Sequence, residues 1–127
     1  MKICVAGAAG AFGRKHLEAI TAINEVEVVS IVDTVPDLIQ DLAKEQQIEH
    51  WTIDLNESLA RPDIEAVILA TPTPLHAAQA IQCLQSGKHV LVEIPMAEKL
   101  VDAESIVKVQ RDSGRIAIAH VVSELRR

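Results

Sequence analysis

The chain has 127 residues, a length that suits one domain. Of these, 49% are apolar, yet the large aromatics are limited to Phe12 and Trp51 and there is no Tyr, so a core must be aliphatic. The net charge is −6 with no Lys/Arg-rich run, which argues against a nucleic-acid partner and reads as solubility.

Lys2–Ala6 is a short β-type apolar run, entered at once from Met1 with no signal-peptide pattern before it. A glycine cluster follows. Residues 11–23 then repeat apolar side chains at helical spacing (Phe12, His16 or Leu17, Ile20, Ile23), and 26–32 is a second Val/Ile-rich run. Residues 36–46 form a weaker helix around Leu38, Leu42 and Ala43, and 50–53 a short third strand. Residues 64–70 read as a strongly buried strand. Thr73-Pro74 resembles a helix start, with a capping hydroxyl and a proline at the first helical position, followed by the stripe Leu75, Ala78, Ile81, Leu84. Ser86-Gly87 stops that helix. A strand over 89–94, a helix marked by Leu100, Ala103, Ile106, Val107 and Gln110 and closed by Gly114, and a strand over 116–122 complete the pattern.

Strands alternating with helices imply an α/β fold, a doubly wound parallel sheet covered on both faces. Six strands in this rhythm fit the Rossmann order 3-2-1-4-5-6. Residues 1–122 are expected to form one dinucleotide-binding domain, with 123–127 as a polar tail. Cys4 and Cys83 are expected as buried, reduced thiols in a cytoplasmic protein, and no residues have metal-ligand spacing. No apolar run approaches the roughly 18 residues of a membrane span.

The first turn reads Gly7-Ala8-Ala9-Gly10-Ala11-Phe12-Gly13, between a strand and a helix, as a phosphate-binding turn requires. Gly7 would permit the tight turn, Gly10 would let backbone approach a pyrophosphate, and Gly13 would let helix and strand pack closely. The helix N-terminus offers free N–H groups and partial positive charge. The spacing G-x-x-G-x-x-G is one residue longer than the commonest form, and a turn serving packing alone is the competing reading. Asp33 ends the second strand 20 residues after Gly13, the expected reach for an acid that accepts from the adenine-ribose hydroxyls. Its competing reading is a solvated loop acid or a helix cap. A carboxylate there would repel a 2′-phosphate, so NAD is expected in preference to NADP. Ala9, Ala11, Phe12, Thr34, Ala70 and Thr73 complete the expected coenzyme contacts.

The segment ATPTPLHAAQAIQCLQSGKHVLVEIPMA over 70–97 resembles the N-terminal half of the glucose–fructose oxidoreductase/inositol dehydrogenase (Gfo/Idh/MocA) family. The resemblance covers about residues 1–120. Within the family, GAFGRKH and VEIPMA are most similar to semialdehyde dehydrogenases of aromatic catabolism. The resemblance implies that Thr71, Pro72 and His76 sit beside the coenzyme, with His76 on the nicotinamide-ribose side; a surface histidine in a first helical turn is the alternative. It implies that Glu93, Ile94 and Pro95 match the family's Glu-Lys-Pro, with Glu93 and Pro95 at the coenzyme. Ile94 replaces the lysine that assists catalysis, and isoleucine neither transfers a proton nor stabilises an alkoxide. His120 aligns with a family histidine near the end of strand six and is a catalytic candidate, or a strand-end residue with no role.

Family members carry a second α/β domain that supplies most substrate contacts, and it is absent from this sequence. The reading is the coenzyme domain of an oxidoreductase that moves a hydride between a nicotinamide and a hydroxyl or hemiacetal carbon of a sugar, polyol or hydroxy-semialdehyde. A non-catalytic nucleotide-binding module, such as a redox sensor or degenerate subunit, is the alternative. A relative of dihydrodipicolinate reductase or a Rossmann-like methyltransferase is a further one. A homo-oligomer is expected, because an apolar flank of the sheet would be left uncovered.

Overall fold

The structure is a computed structural model that describes residues 1–20, 22–93, 97 and 99–120. The elements are β1 (Lys2–Ala6), α1 (Ala11–Ile20), β2 (Glu27–Val32), α2 (Pro36–Gln46), β3 (His50–Thr52), α3 (Leu55–Leu59), β4 (Ala66–Leu69), α4 (Thr73–Gln85), β5 (His89–Glu93), α5 (Leu100–Ser113) and β6 (Ala117–His120). The six strands form one parallel sheet in the order β3-β2-β1-β4-β5-β6, as the alternation of elements predicts. Residues 121 and 122, expected to extend β6, and the tail 123–127 lie outside the described residues.

Two apolar layers hold the sheet. On one face Cys4, Val67, Leu69, Val90 and Val92 pack with Leu55 and Leu59 of α3, Cys83 and Leu84 of α4, and Ile106 of α5. On the other, Ile3, Val5, Ile31 and Ile68 pack with Leu17 and Ile20 of α1 and Ile39 and Leu42 of α2. The central strands read as near-continuous apolar runs because each buries both faces. Both thiols are free and buried. Burial pushes Cys4 up to about 11 and Cys83 up to about 12, with the nearby Cys4 adding to the rise at Cys83.

Several sequence expectations are corrected in detail. Helix α3 has no counterpart in them, although Asp54 caps it, accepting from the Asn56 amide at 3.0 Å, with Glu57 three positions on. Thr73 is the first residue of α4 rather than its cap; Pro72 holds the cap position with no side-chain bond. The buried stripe of α4 runs through His76, Ala80, Cys83 and Leu84, while Leu75 and Ala78 face outward. One position along a helix rotates the face by about 100°, so a stripe chosen on apolarity alone misses a phase set by a buried histidine. In α1, Leu17 rather than His16 is buried, and Phe12 and Ile23 are exposed; in α2, Ile39 replaces Leu38. In α5, Ile106 is buried while Leu100 and Val107 are exposed. Gly87 and Gly114 end their helices with positive φ, as expected.

Lys88 is a buried cation that sequence patterning missed. Its Nζ donates to the carbonyls of Arg61 (2.8 Å) and Ile64 (2.7 Å), tying the turn before β4 to the start of β5. That turn sets where β4 enters the sheet and hence where its carboxyl end meets the glycine turn.

The two faces are unequally covered. Helices α4 and α5, which link β4 to β5 and β5 to β6, both pack on the first face. On the second, Ala66, Ile68, Leu91, Ile116 and Ile118 line an apolar hollow of about 530 Å³ beside α1. Ile116 and Ile118 are each more than half exposed.

Candidate functional site

Strand register draws the sequence-predicted positions into one row. Val32, Ala6 and Leu69 pair across β2, β1 and β4, and Leu69 pairs with Val92 of β5. The residues that follow them at the carboxyl edge are Asp33, Gly7, Ala70 and Glu93, and Glu93 pairs with His120 of β6. A crevice at the carboxyl edge, where strand order reverses between β1 and β4, is where open α/β sheets bind ligands.

The glycine turn is built for close approach. Its first amides fold back on β2: Gly7 N–H donates to Val32 O at 2.8 Å and Ala8 N–H to the same oxygen at 3.2 Å. Gly7 has φ +77°, and a Cβ there would lie 2.5 Å from the Ala70 carbonyl oxygen. A Cβ on Gly13 would lie 2.1 Å from the Gly7 oxygen and 2.7 Å from the Ala8 Cα, so α1 rests directly on the turn. Gly10 differs. A Cβ there would meet only the Gly7 oxygen, at an ordinary 3.5 Å, so nothing in the chain itself requires glycine. The first backbone bond of α1 is Arg14 N–H to Gly10 O at 3.0 Å, and among the described residues no acceptor meets the N–H of Ala11, Phe12 or Gly13. Three free amides and an unfilled side-chain position thus converge at one helix N-terminus. A pyrophosphate fits that donor set, since its oxygens are acceptors and its charge matches the dipole.

Asp33 belongs to the same turn. Its Oδ2 accepts from the Ala9 amide at 2.9 Å and its Oδ1 from the Thr34 amide at 2.7 Å. It is neither a free loop acid nor the cap of α2, whose cap position is Val35 without a side-chain bond. Each carboxylate oxygen keeps a lone pair for a further donor.

His76 is 1% exposed, which removes the surface alternative. Its Nε2 lies 2.7 Å from the Thr71 carbonyl oxygen, an acceptor, so Nε2 carries the proton and donates. Thr71 Oγ1 in turn donates to Gln79 Oε1 at 2.6 Å. His76 and Gln79 therefore hold the 70–72 segment from below, against Gly7. Thr73 is part-buried, and Pro72, Thr34 and Ala11 are exposed at the rim. Phe12 is 43% exposed beside the turn. Ile94 and Pro95, and the side chains of Glu93 and His120, lie outside the described residues. Sequence reasoning also passed over Arg14, whose Nε–H donates to the Ala9 carbonyl at 3.1 Å.

A family model described as "Oxidoreductase family, NAD-binding Rossmann fold" (GFO_IDH_MocA) matches residues 1–121. The chain belongs to the Gfo/Idh/MocA oxidoreductase family. It is 46% identical over 118 residues to 4-carboxy-2-hydroxymuconate-6-semialdehyde dehydrogenase of Sphingobium sp. strain NBRC 103272 / SYK-6, a match covering 93% of this chain and 37% of that protein. Among solved structures it is similar to the WlbA dehydrogenase of Chromobacterium violaceum in complex with NADH and UDP-GlcNAcA, at 27% identity and a TM-score of 0.87 over 100% of this chain and 36% of that one. It is also similar to an oxidoreductase of Desulfitobacterium hafniense named for NADPH, at 26% identity and a TM-score of 0.88 over 94% and 34%. The chain thus spans little more than a third of these relatives. The family match over 1–121 favours the oxidoreductase reading over the non-catalytic module, dihydrodipicolinate reductase and methyltransferase alternatives. No helix among the described residues is long and apolar enough to cross a membrane.

Proposed function

We propose that this chain is the coenzyme-binding domain, over residues 1–122, of a dehydrogenase that prefers NAD to NADP. It would serve a hydroxyl, hemiacetal or semialdehyde carbon, a range supported by the semialdehyde and inositol dehydrogenases among its relatives. The observation that carries the reading is Asp33, locked by Ala9 N–H onto a turn whose three helix-start amides have no partner among the described residues. When bound, the coenzyme supplies or accepts the hydride. The amides of Ala11, Phe12 and Gly13 would hold the pyrophosphate, with glycine at position 10 leaving room for it. The free lone pairs of Asp33 accept from the adenosine-ribose hydroxyls, with Ala9 and Thr34 at the rim. Ala70, Thr71, Pro72 and Thr73 form the far wall, and His76 positions that wall through the Thr71 carbonyl rather than touching coenzyme. Glu93 and Pro95 flank the nicotinamide end. His120, register partner of Glu93, is the candidate proton donor or acceptor in place of the lysine lost at Ile94.

The preference for NAD rests on charge. A carboxylate in the ribose pocket repels a 2′-phosphate, which adds about two negative charges. Fluorescence titration is expected to give a Kd for NADH at least about tenfold below that for NADPH, the effect of roughly 1.4 kcal/mol. Tighter NADPH binding would refute the preference, and no saturable signal with either nucleotide would refute the coenzyme reading. Substrate contacts are assigned to the second domain that the family resemblance implies, in keeping with relatives well over twice as long, so turnover of aldehydes or polyols with NAD by this stretch alone is expected to be negligible, as read by NADH absorbance. The free, buried thiols support a reducing, cytoplasmic location.

We also infer a homo-oligomer for this stretch. The hollow over β4, β5 and β6 exposes Ile116, Ile118 and Ile23 together, and contiguous apolar surface of this kind is usually buried by a partner. Light scattering is expected to give a mass above 13.8 kDa that falls towards it in Ile118→Lys; a monomeric mass at high concentration would contradict it.

A further inference from the structure

We propose that Arg14 is a coenzyme-binding residue whose guanidinium takes a phosphate oxygen of the bound dinucleotide. The inference rests on the coenzyme reading above and adds a cation that the glycine motif does not contain. Arg14 follows Gly13 in the first turn of α1, and its own amide closes the first helical bond onto Gly10. Its Nε–H donates to Ala9 O at 3.1 Å, while the Ala9 N–H is held by Asp33 Oδ2 at 2.9 Å. The two peptide groups that meet at Ala9, in the middle of the turn, are therefore each held by a side chain, one by Asp33 and the next by Arg14. The grip uses one of the five guanidinium donors. The four N–H bonds of the two amino groups have no partner among the described residues, and the side chain is exposed.

Charge balance gives that docked cation a purpose. The dinucleotide brings two negative charges to a chain already at −6, and the strand-end row holds Asp33 and the position of Glu93. The dipole of α1 offsets only about half a charge. A guanidinium pinned by Nε presents its amino groups as a planar pair, a shape matched to two oxygens of one phosphate. Pinning also removes part of the entropy of fixing a long side chain on binding. The recognised group is a phosphate beside Ala9. Two phosphates lie within the ligand's reach of that point: the pyrophosphate common to both coenzymes, and the 2′-phosphate of NADP alone.

The test titrates wild type and Arg14→Gln with ADP-ribose, 2′-phospho-ADP-ribose and adenosine, followed by NMR at low and high salt. Both phosphorylated probes are expected to bind the variant about tenfold more weakly, with a shallower salt dependence, while adenosine binding and Tm stay unchanged. Arg14→Lys is expected to recover only part of the loss, because an ammonium lacks the planar fork. Weakening of 2′-phospho-ADP-ribose alone would assign Arg14 to the 2′-phosphate, and the gap between NADH and NADPH would then be wider in the variant than in wild type. Equal affinities of wild type and variant for both phosphorylated probes would overturn the proposal. So would an equal loss of adenosine binding, which would mean that the turn itself had been disturbed. Failure of the wild type to bind any probe would instead remove the coenzyme reading on which the proposal stands.

Discussion

Gly13→Ala is expected to destabilise the fold, whereas Gly10→Ala, three residues earlier in the same turn, leaves stability intact and abolishes coenzyme binding. The added methyl at position 13 would sit 2.1 Å from the Gly7 oxygen and 2.8 Å from the Gly7 carbon, both backbone atoms of a turn fixed to β2 and β4. Backbone cannot rotate away as a side chain can, so α1 must lift from the sheet, and Leu17 and Ile20 lose packing with it. Overpacking of this kind costs about 3 kcal/mol or more. For a domain of this size that is a fall in Tm of roughly 10 °C. At position 10 the nearest atom is at 3.5 Å, so the apo fold accepts the methyl. It would occupy the space where pyrophosphate meets the amides of Ala11 and Phe12, and the NADH Kd is expected to rise by about 100-fold or more. Thermal unfolding by circular dichroism and an NADH titration, run on both variants, separate the two effects. A Gly10→Ala protein that binds NADH normally would show that the glycine turn serves packing alone.

Asp33→Ser is expected to weaken NADH binding by roughly 30-fold without making the chain an NADPH binder. A change that only removed like-charge repulsion would favour NADPH. Here the carboxylate also accepts from the Ala9 and Thr34 amides, at 2.9 Å and 2.7 Å. Hydrogen bonds to a charged group contribute about 1.5–3 kcal/mol each, and serine cannot reach both amides. The Ala9 peptide then loses its anchor, and the donors for both coenzymes lose their geometry together. Parallel NADH and NADPH titrations test this, with amide hydrogen exchange at Ala9 in ligand-free protein as a readout of the turn alone. Unchanged exchange at Ala9, together with a gain in NADPH affinity, would reduce Asp33 to a ribose contact.

The features that sequence exposed most clearly were those governed by local rules. Gly7, Gly13, Gly87 and Gly114 mark backbone that needs positive φ or close contact, and the β–α alternation dictates the strand order. Asp33 stands out by its distance from the turn and its bond to the next amide, Thr34, is local, but its bond to Ala9 depends on how β1 and β2 pair. The rest was hidden because tertiary packing decides it. His76 looks polar and superficial until the Thr71 carbonyl offers its Nε2 a buried partner. Lys88 would be placed at the surface until two turn carbonyls enclose its Nζ. Helix α3 is only five residues long, too short for periodicity to show, yet the spacing of Asp54 and Glu57 was a legible capping signal. Arg14 has no motif of its own; its place emerges only once Ala9 is seen to face it.

The central place of β1 bears on how the polypeptide is made. Ile3 pairs on one side with Val28 and on the other with Ala66, sixty-three positions further along. During synthesis the middle of the sheet therefore leaves the ribosome long before its second neighbour exists. Until β4 emerges, Cys4, Val5 and Ala6 present an open, greasy ladder edge to solvent, and closing that long loop is the entropically slow event. Nascent chains stalled short of residue 69 should thus be the species on which a holding chaperone acts.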